Sequence, residues 1–162
     1  MTTNIRPDRP VGYFYEDYAV GQKMTSRGRT ITESDIVQFG SLTGDFNPMH
    51  FDDHYMQGHL LGKRVAHGML TISYAIGQAY QLGFMEQTVL AFRSIEMKFS
   101  APVYIGDTIH VELEVKEKKD ARRLGGGLVT LEARIINQEG KAVQKGDWTV
   151  LVASRAPEAL SS

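Results

Sequence analysis

Cysteine is absent from the chain, which removes a disulfide framework, a thiolate nucleophile and every zinc or iron-sulfur site built on thiolates. Such a composition suits a reducing compartment. An excess of charge of one sign is missing as well. The 18 lysines and arginines stand against 19 aspartates and glutamates, a net charge of -1, so no broad field draws the chain to nucleic acid or to an anionic membrane. No uninterrupted apolar run approaches the length of a membrane span. The opening MTTNIRPDRPVG is polar and proline-broken, without the apolar stretch of a signal peptide. A cytoplasmic location is therefore expected, with no nucleic-acid and no membrane partner. Internal repeats and low-complexity tracts are also lacking.

What remains is a chain of 162 residues, 42% hydrophobic, long enough and apolar enough to bury one real core. The expected organisation is an N-terminal arm over 1–20, one domain over 21–153 and a C-terminal tail over 154–162. In the arm, Tyr13, Phe14, Tyr15 and Tyr18 read as packing residues. The Thr and Ser content from Lys23 to Ile31 suggests an early strand. Thr32 then stands three residues before Asp35, a helix start of the capping type, and the helix runs to Gly44. A short helix is expected over 51–57. From Met69 to Leu82 the apolar residues cover nearly the whole circumference of a helix, which must then be buried nearly all round. In so small a domain only a sheet wrapped about it could do this. Four later segments supply the sheet, most clearly where Ile109, Val111, Leu113 and Val115 alternate with His110, Glu112, Glu114 and Lys116. Gly106-Asp107, the glycines at 125–127 and Glu139-Gly140 read as the turns between them. The fold class is α+β, one long helix against an antiparallel sheet.

The chemistry concentrates in TGDFNPMH, residues 43–50. Pro48 sets its own φ and pushes Asn47 out of helical geometry, so the first helix cannot continue through it. Asp45 and His50 would lie roughly 17 Å apart on a straight chain and become neighbours only across a stiff bend. Asn47, whose amide both donates and accepts, is suited to pin that bend. A carboxylate and an imidazole facing one water can add it to a double bond, one taking a proton from the water while the other delivers a proton to carbon. The substrate must then carry a carbonyl whose developing enolate charge is stabilised. His67-Gly68, at the start of the apolar helix, offers unpaired amide N–H groups at the positive end of a helix dipole. Gly68 also lets a substrate carbonyl approach the backbone closely, a contact worth about 3 to 4 kcal/mol of barrier by analogy with other oxyanion donors.

Other features carry blander readings. His50, His54, His59 and His67 fall close together, and His50 with His54 has the i, i+4 spacing of a helical metal pair. No glutamate lies between them as in the metalloprotease motif, and the ligands would straddle glycine loops, so no metal is expected. His67 reads as a helix-start residue satisfied by backbone. The glycines at 125–127 precede no helix and so do not form a phosphate cradle, KEKKDARR reads as a solvated hairpin end, and Trp148 as strand packing.

The run GDFNPMHFD, then AHGML, then KFSAPVYIGD, in this order and spacing, resembles the MaoC-like (R)-specific enoyl-CoA hydratase/dehydratase family of the hot-dog fold, over nearly the whole domain. The resemblance implies a long helix wrapped by an antiparallel sheet, a homodimer or a higher homo-oligomer, and acyl-CoA thioesters as substrates. Coenzyme A enters as part of the substrate, and no metal or other cofactor is implied. Carried over by position, Asp45 and His50 match the catalytic pair, Asn47 the asparagine that orders the loop, and Gly68 the glycine whose amide binds the thioester oxygen. Some relatives carry a serine eight residues after that glycine; here Ile76 stands there, with Ser73 nearly one turn earlier. Asn47, His67, Ser73 and Ile76 are thus expected along the substrate-binding surface. Tyr74, Ile76, Tyr80, Phe84 and Met85 are expected to shape the acyl pocket, and Lys63, Arg64, Arg93 or Lys98 to meet the coenzyme A phosphates. The expected activity is reversible hydration of trans-2-enoyl-CoA to (R)-3-hydroxyacyl-CoA. The alternatives are a hot-dog acyl-CoA thioesterase and a non-catalytic acyl-thioester binding subunit.

Overall fold

The computed structural model of the chain describes residues 11–155. Ten elements order the site: β1 (Lys23–Thr25), β2 (Arg29–Thr30), α1 (Glu33–Thr43), α2 (Pro48–Phe51), α3 (Asp53–Gln57), α4 (Gly68–Tyr80), β3 (Val89–Phe99), β4 (Thr108–Ala121), β5 (Gly126–Ile136) and β6 (Ala142–Ala153). The sheet is antiparallel, in the order β1-β4-β5-β6-β3, with β2 paired to β4 beside β1. The long helix α4 lies on one face of it. This is the expected α+β, hot-dog arrangement. The early strand is two short pieces instead of one, and the expected helix over 51–57 is two short helices, because Asp52 takes extended backbone between them.

The alternation read in β4 holds residue by residue. Ile109, Val111, Leu113 and Val115 are buried while His110, Glu112 and Glu114 are half-buried on the other face. Burying each such side chain stabilises the fold by about 1.5–3 kcal/mol relative to leaving it in water. Trp148 on β6, the largest fully buried side chain, pairs with Ile95 of β3 and Leu131 of β5. In the arm, Gly12 and Tyr13 donate backbone hydrogen bonds to Glu86 and Phe84, and Tyr18 is buried in the core.

Two expectations fail for identifiable reasons. The glycines at 125–127 are not one turn. Gly125 is left-handed at φ +82 and closes the turn, but Gly126 and Gly127 are strand residues, where a Cβ would fall 1.8 Å from the Val152 carbonyl oxygen and 2.2 Å from the Tyr15 ring. Nor is α4 covered all round. Met69, Ser73, Gly77 and Tyr80 are exposed, because the sheet wraps only the face carrying Leu70, Ile72, Ala75 and Ala79. At the opposite edge of the sheet, β3 leaves Leu90, Phe92, Ile95 and Phe99 in solvent.

Candidate active site

The site begins where α1 ends. Thr32 and Asp35 form a reciprocal capping box: the Asp35 carboxylate accepts from the Thr32 N–H at 2.8 Å, and the Thr32 hydroxyl accepts from the Asp35 N–H at 3.3 Å. Such caps are worth about 1 kcal/mol. At the other end Gly44 takes a left-handed conformation, φ +80, and its N–H returns to the Gly40 carbonyl, the ordinary glycine stop of a helix. Asn47 then caps α2 by accepting the Met49 N–H on Oδ1 at 3.2 Å, and its own N–H donates to Asp45 Oδ1 at 3.3 Å. One asparagine thus pins the bend and holds the carboxylate.

That bend brings Asp45 and His50 together, with 3.9 Å between Asp45 Oδ2 and His50 Nε2. The gap is longer than a direct hydrogen bond. A water about 2.8 Å from both atoms would bridge it at an angle of roughly 90°. The two members differ in setting: His50 is 7% exposed, whereas the Asp45 side chain is 52% exposed. His50 Nδ1 lies 2.8 Å from the Val65 carbonyl, an acceptor, so Nδ1 carries the proton and Nε2 is left with its lone pair toward Asp45. Burial pushes the His50 pKa below the ordinary imidazole value, and the neighbouring His67 lowers it further, while the Val65 carbonyl and Asp45 pull the other way.

His67, buried at the N-cap of α4, reaches back to the bend. Its Nε2–H donates to the Asp45 carbonyl at 3.0 Å, and its ring stacks on His50 with centroids 3.8 Å apart and planes 26° from parallel. Asp45, His50 and His67 each offer a ligand atom within 4.8 Å of the others. Within it, His50 Nδ1 and His67 Nε2 are already engaged with the Val65 and Asp45 carbonyls. His54, the other half of the i, i+4 pair, is exposed on α3 and outside this group.

His50 and Gly68 line one cavity of about 560 Å³, walled chiefly by Met49, Leu61, Phe99 and Val103. Gly68 opens α4, and its N–H has no acceptor among the described residues. A Cβ there would meet the Phe99 ring at 2.4 Å. Asp45 is not part of the lining and adjoins the cavity through His50.

Two residues that the sequence did not single out secure the start of α4. Gln144 of β6 is buried and donates from Nε2 to the Gly68 carbonyl at 3.3 Å and to the Thr71 hydroxyl, which itself donates to the Gly68 carbonyl at 2.7 Å. In the sequence Gln144 is only a polar residue after Val143, which names no partner.

Several expected site residues lie elsewhere. Ser73 spends its hydroxyl on the Met69 carbonyl of its own helix at 2.8 Å and faces a separate groove with Arg27 and Gly28. Ile76 packs against the core. Neither lines the cavity, nor do Tyr74, Tyr80, Phe84 or Met85; Phe84 and Met85 are core residues. Arg64 is not free for a phosphate. Its guanidinium grips both Glu33 oxygens at 2.9 and 2.7 Å and Asp53 at 2.7 Å, and these bonds hold its pKa above the usual arginine value. Lys63 sits over the Tyr104 ring, 4.1 Å from its centroid. Arg93 and Lys98 are exposed on β3.

A second polar group, Asp35 with Tyr74 and Arg29, stands apart from the cavity. The Tyr74 hydroxyl donates to Asp35 at 2.6 Å and Arg29 donates to it at 3.1 Å. Burial and the Asp35 charge push the Tyr74 pKa up to about 12. Burial also raises the Asp35 carboxyl, but hydrogen bonds from Tyr74 and Thr32 outweigh it and leave the carboxyl below its usual range. This group ties α1 to α4.

The family model described as "MaoC like domain" matches residues 17–135. The chain belongs to the MaoC-like dehydratase family. An (R)-specific enoyl-CoA hydratase of Rhodospirillum rubrum is 33% identical over 88% of this chain and 94% of its own length. A 3-hydroxybutyryl-CoA dehydratase of Methylorubrum extorquens is 36% identical over 72% of each. Among solved structures, an R-hydratase of Pseudomonas aeruginosa in its unliganded form superposes with a TM-score of 0.71 at 29% identity, covering 92% of this chain and 93% of that one. In this MaoC-like chain no helix among the described residues is long and apolar enough to cross a membrane.

Proposed function

We propose that this MaoC-like protein is a hydro-lyase that reversibly hydrates trans-2-enoyl-CoA to (R)-3-hydroxyacyl-CoA. The observation that carries the reading is the pair His50 Nε2 and Asp45 Oδ2, 3.9 Å apart, with His50 and the unpaired Gly68 amide on one cavity. In this reading the thioester oxygen accepts the Gly68 N–H, which stabilises the enolate charge as it forms. A water held between the pair adds its oxygen to C3. Its proton passes to His50 Nε2, which has a lone pair because Nδ1 is bonded to Val65. The Asp45 carboxylate accepts a hydrogen bond from the water's other O–H, which stays on oxygen as the product hydroxyl, and faces the imidazolium that forms. The imidazolium then delivers its proton to C2, so one water supplies both new bonds and both side chains return to their starting state. No electrons change hands, and the reaction calls for no redox cofactor.

Mixing the protein with crotonyl-CoA tests this. The expected result is loss of the enone-thioester absorbance with formation of the (R)-3-hydroxy product. Release of free coenzyme A thiol without hydration would point to a thioesterase, and binding without turnover to an acyl-thioester binding subunit. The pH dependence carries a sign. The reaction needs neutral His50, so kcat/KM is expected to fall as pH drops through the His50 pKa, and burial places that limb below the ordinary imidazole value of about 6.5. A limb above that value would contradict the assignment.

The same reading includes a homodimer of the cytoplasm. The open stripe Met69, Ser73, Gly77 and Tyr80 on α4 and the apolar edge of β3, unpaired on one side among the described residues, are surfaces that a second copy would cover. Sedimentation equilibrium is expected to give twice the chain mass of 18.1 kDa, or a multiple of that dimer; a monomer at micromolar concentration would refute it.

A further inference from the structure

We infer that His67 is a positioning residue that holds both members of the catalytic pair at once, by two different parts of its ring. The inference rests on the hydratase reading of the site. The nitrogen Nε2 donates to the Asp45 carbonyl at 3.0 Å and so fixes the backbone from which the carboxylate springs. The ring face lies on His50 at 3.8 Å and so fixes the plane in which Nε2 of His50 presents its lone pair. Phe39 and Phe51 close on His67 from other sides, with ring centroids at 5.0 and 5.8 Å, so the imidazole has little room to swing. The residue is also the N-cap of α4 without capping it by its side chain. Its polar atom serves the bend instead of the helix it precedes.

The surrounding segment makes this placement economical. Val65 takes the His50 Nδ1–H on its carbonyl and gives its N–H to the Met49 carbonyl at 3.1 Å. Arg64 is anchored to α1 and α3 through Glu33 and Asp53. Gly68, next to His67, presents the amide. Residues 64–68 therefore act as one strut against which the carboxylate, the imidazole and the oxyanion donor are all registered. His67 is its only side chain that touches both Asp45 and His50.

Two substitutions separate the two contacts. His67→Gln keeps an N–H at about the reach of Nε2 and loses the stacked ring. His67→Phe keeps a ring beside His50 and loses the donor. Each is expected to lower kcat toward crotonyl-CoA by roughly 10- to 100-fold, since misplacement of a reacting group by about 1 Å costs on that order. KM should change less than about threefold, because the Gly68 amide and the cavity wall remain. His67→Ala, lacking both contacts, should be slower than either. Equal kcat per folded molecule in all three variants, with only the melting temperature lowered, would overturn the inference.

A readout on the resting protein does not depend on turnover. The 15N spectrum of His67 is expected to show the Nε2–H tautomer. The Asn47 amide, bonded to Asp45 Oδ1, should exchange with solvent at least about tenfold faster in His67→Phe than in wild type. An Nδ1–H tautomer, or unchanged Asn47 exchange, would overturn the inference even where the enzyme turns over. A wild-type protein inert toward every enoyl-CoA would instead overturn the hydratase reading, and the resonance and exchange data would still decide what His67 holds.

Discussion

Asp45→Asn is expected to cost roughly 10³-fold in kcat for hydration while leaving the melting temperature almost unchanged. The carboxylate is half exposed. The hydrogen bond from the Asn47 N–H to Oδ1 is one that an amide oxygen also accepts, and surface changes of this kind usually stay within about 0.5 kcal/mol. What the amide cannot do, in the proposed mechanism, is bring a full negative charge to the hydrogen bond from the water and to the imidazolium on His50. His50→Gln is expected to lose a similar factor by removing the proton carrier itself. If the two groups act on one water, as proposed, the double variant should be little slower than the worse single one. Initial rates on crotonyl-CoA, normalised to folded protein, check all three. If Asp45→Asn retained activity within about tenfold of wild type, or if the two losses multiplied, the pair would not be acting together on one water.

The largest effect on stability is expected from Trp148→Ala, a loss of about 3–5 kcal/mol. For a domain of this length that corresponds to a fall of roughly 10 °C in Tm. Trp148 is fully buried at the middle of β6, between β3 and β5, and its ring meets the edge of Phe92 with centroids 6.5 Å apart. Truncation would open a void under three paired strands whose hydrogen bonds leave the backbone little freedom to collapse into it. Trp148→Phe should cost far less, for two reasons. Most of the apolar volume stays, and the indole N–H, which has no acceptor among the described residues, is removed with it. Urea titrations at one fixed protein concentration measure both, since any association shifts the midpoint by mass action. Near-equal destabilisation by Ala and Phe would mean that the indole N–H, and not the ring's volume, matters most.

The features that sequence reveals here are those governed by neighbours a few residues apart. The Thr32 and Asp35 cap, the helix end at Gly44, the bend pinned by Asn47 and the period-two burial of β4 all follow from local sterics and hydrogen bonding, and all are legible in the string of residues; that Asn47 also caps a helix from Pro48 is not. The approach of Asp45 to His50 belongs with them, because a five-residue bend held by its own asparagine is nearly a local structure. Its likeness to a known motif made it legible twice over.

Other features depend on chain segments that meet only after folding. Gln144 and Gly68 are 76 positions apart, His67 and Asp45 are 22 apart, and Arg64 and Glu33 are 31 apart. No local rule pairs them, so Arg64 read as a free cation and Gln144 read as nothing. The hydrophobic pattern of α4 required burial without saying which face the sheet would cover; the packing of the helix on the sheet settled that, and left Ser73 on the uncovered side. The sequence alone determined an α+β fold with an acid and an imidazole on a bend ahead of an apolar helix, since short-range geometry dictates such things. Tertiary packing decided which atoms of that bend meet the cavity, because only the folded sheet brings β6, α4 and the strut at residues 64–68 to one point.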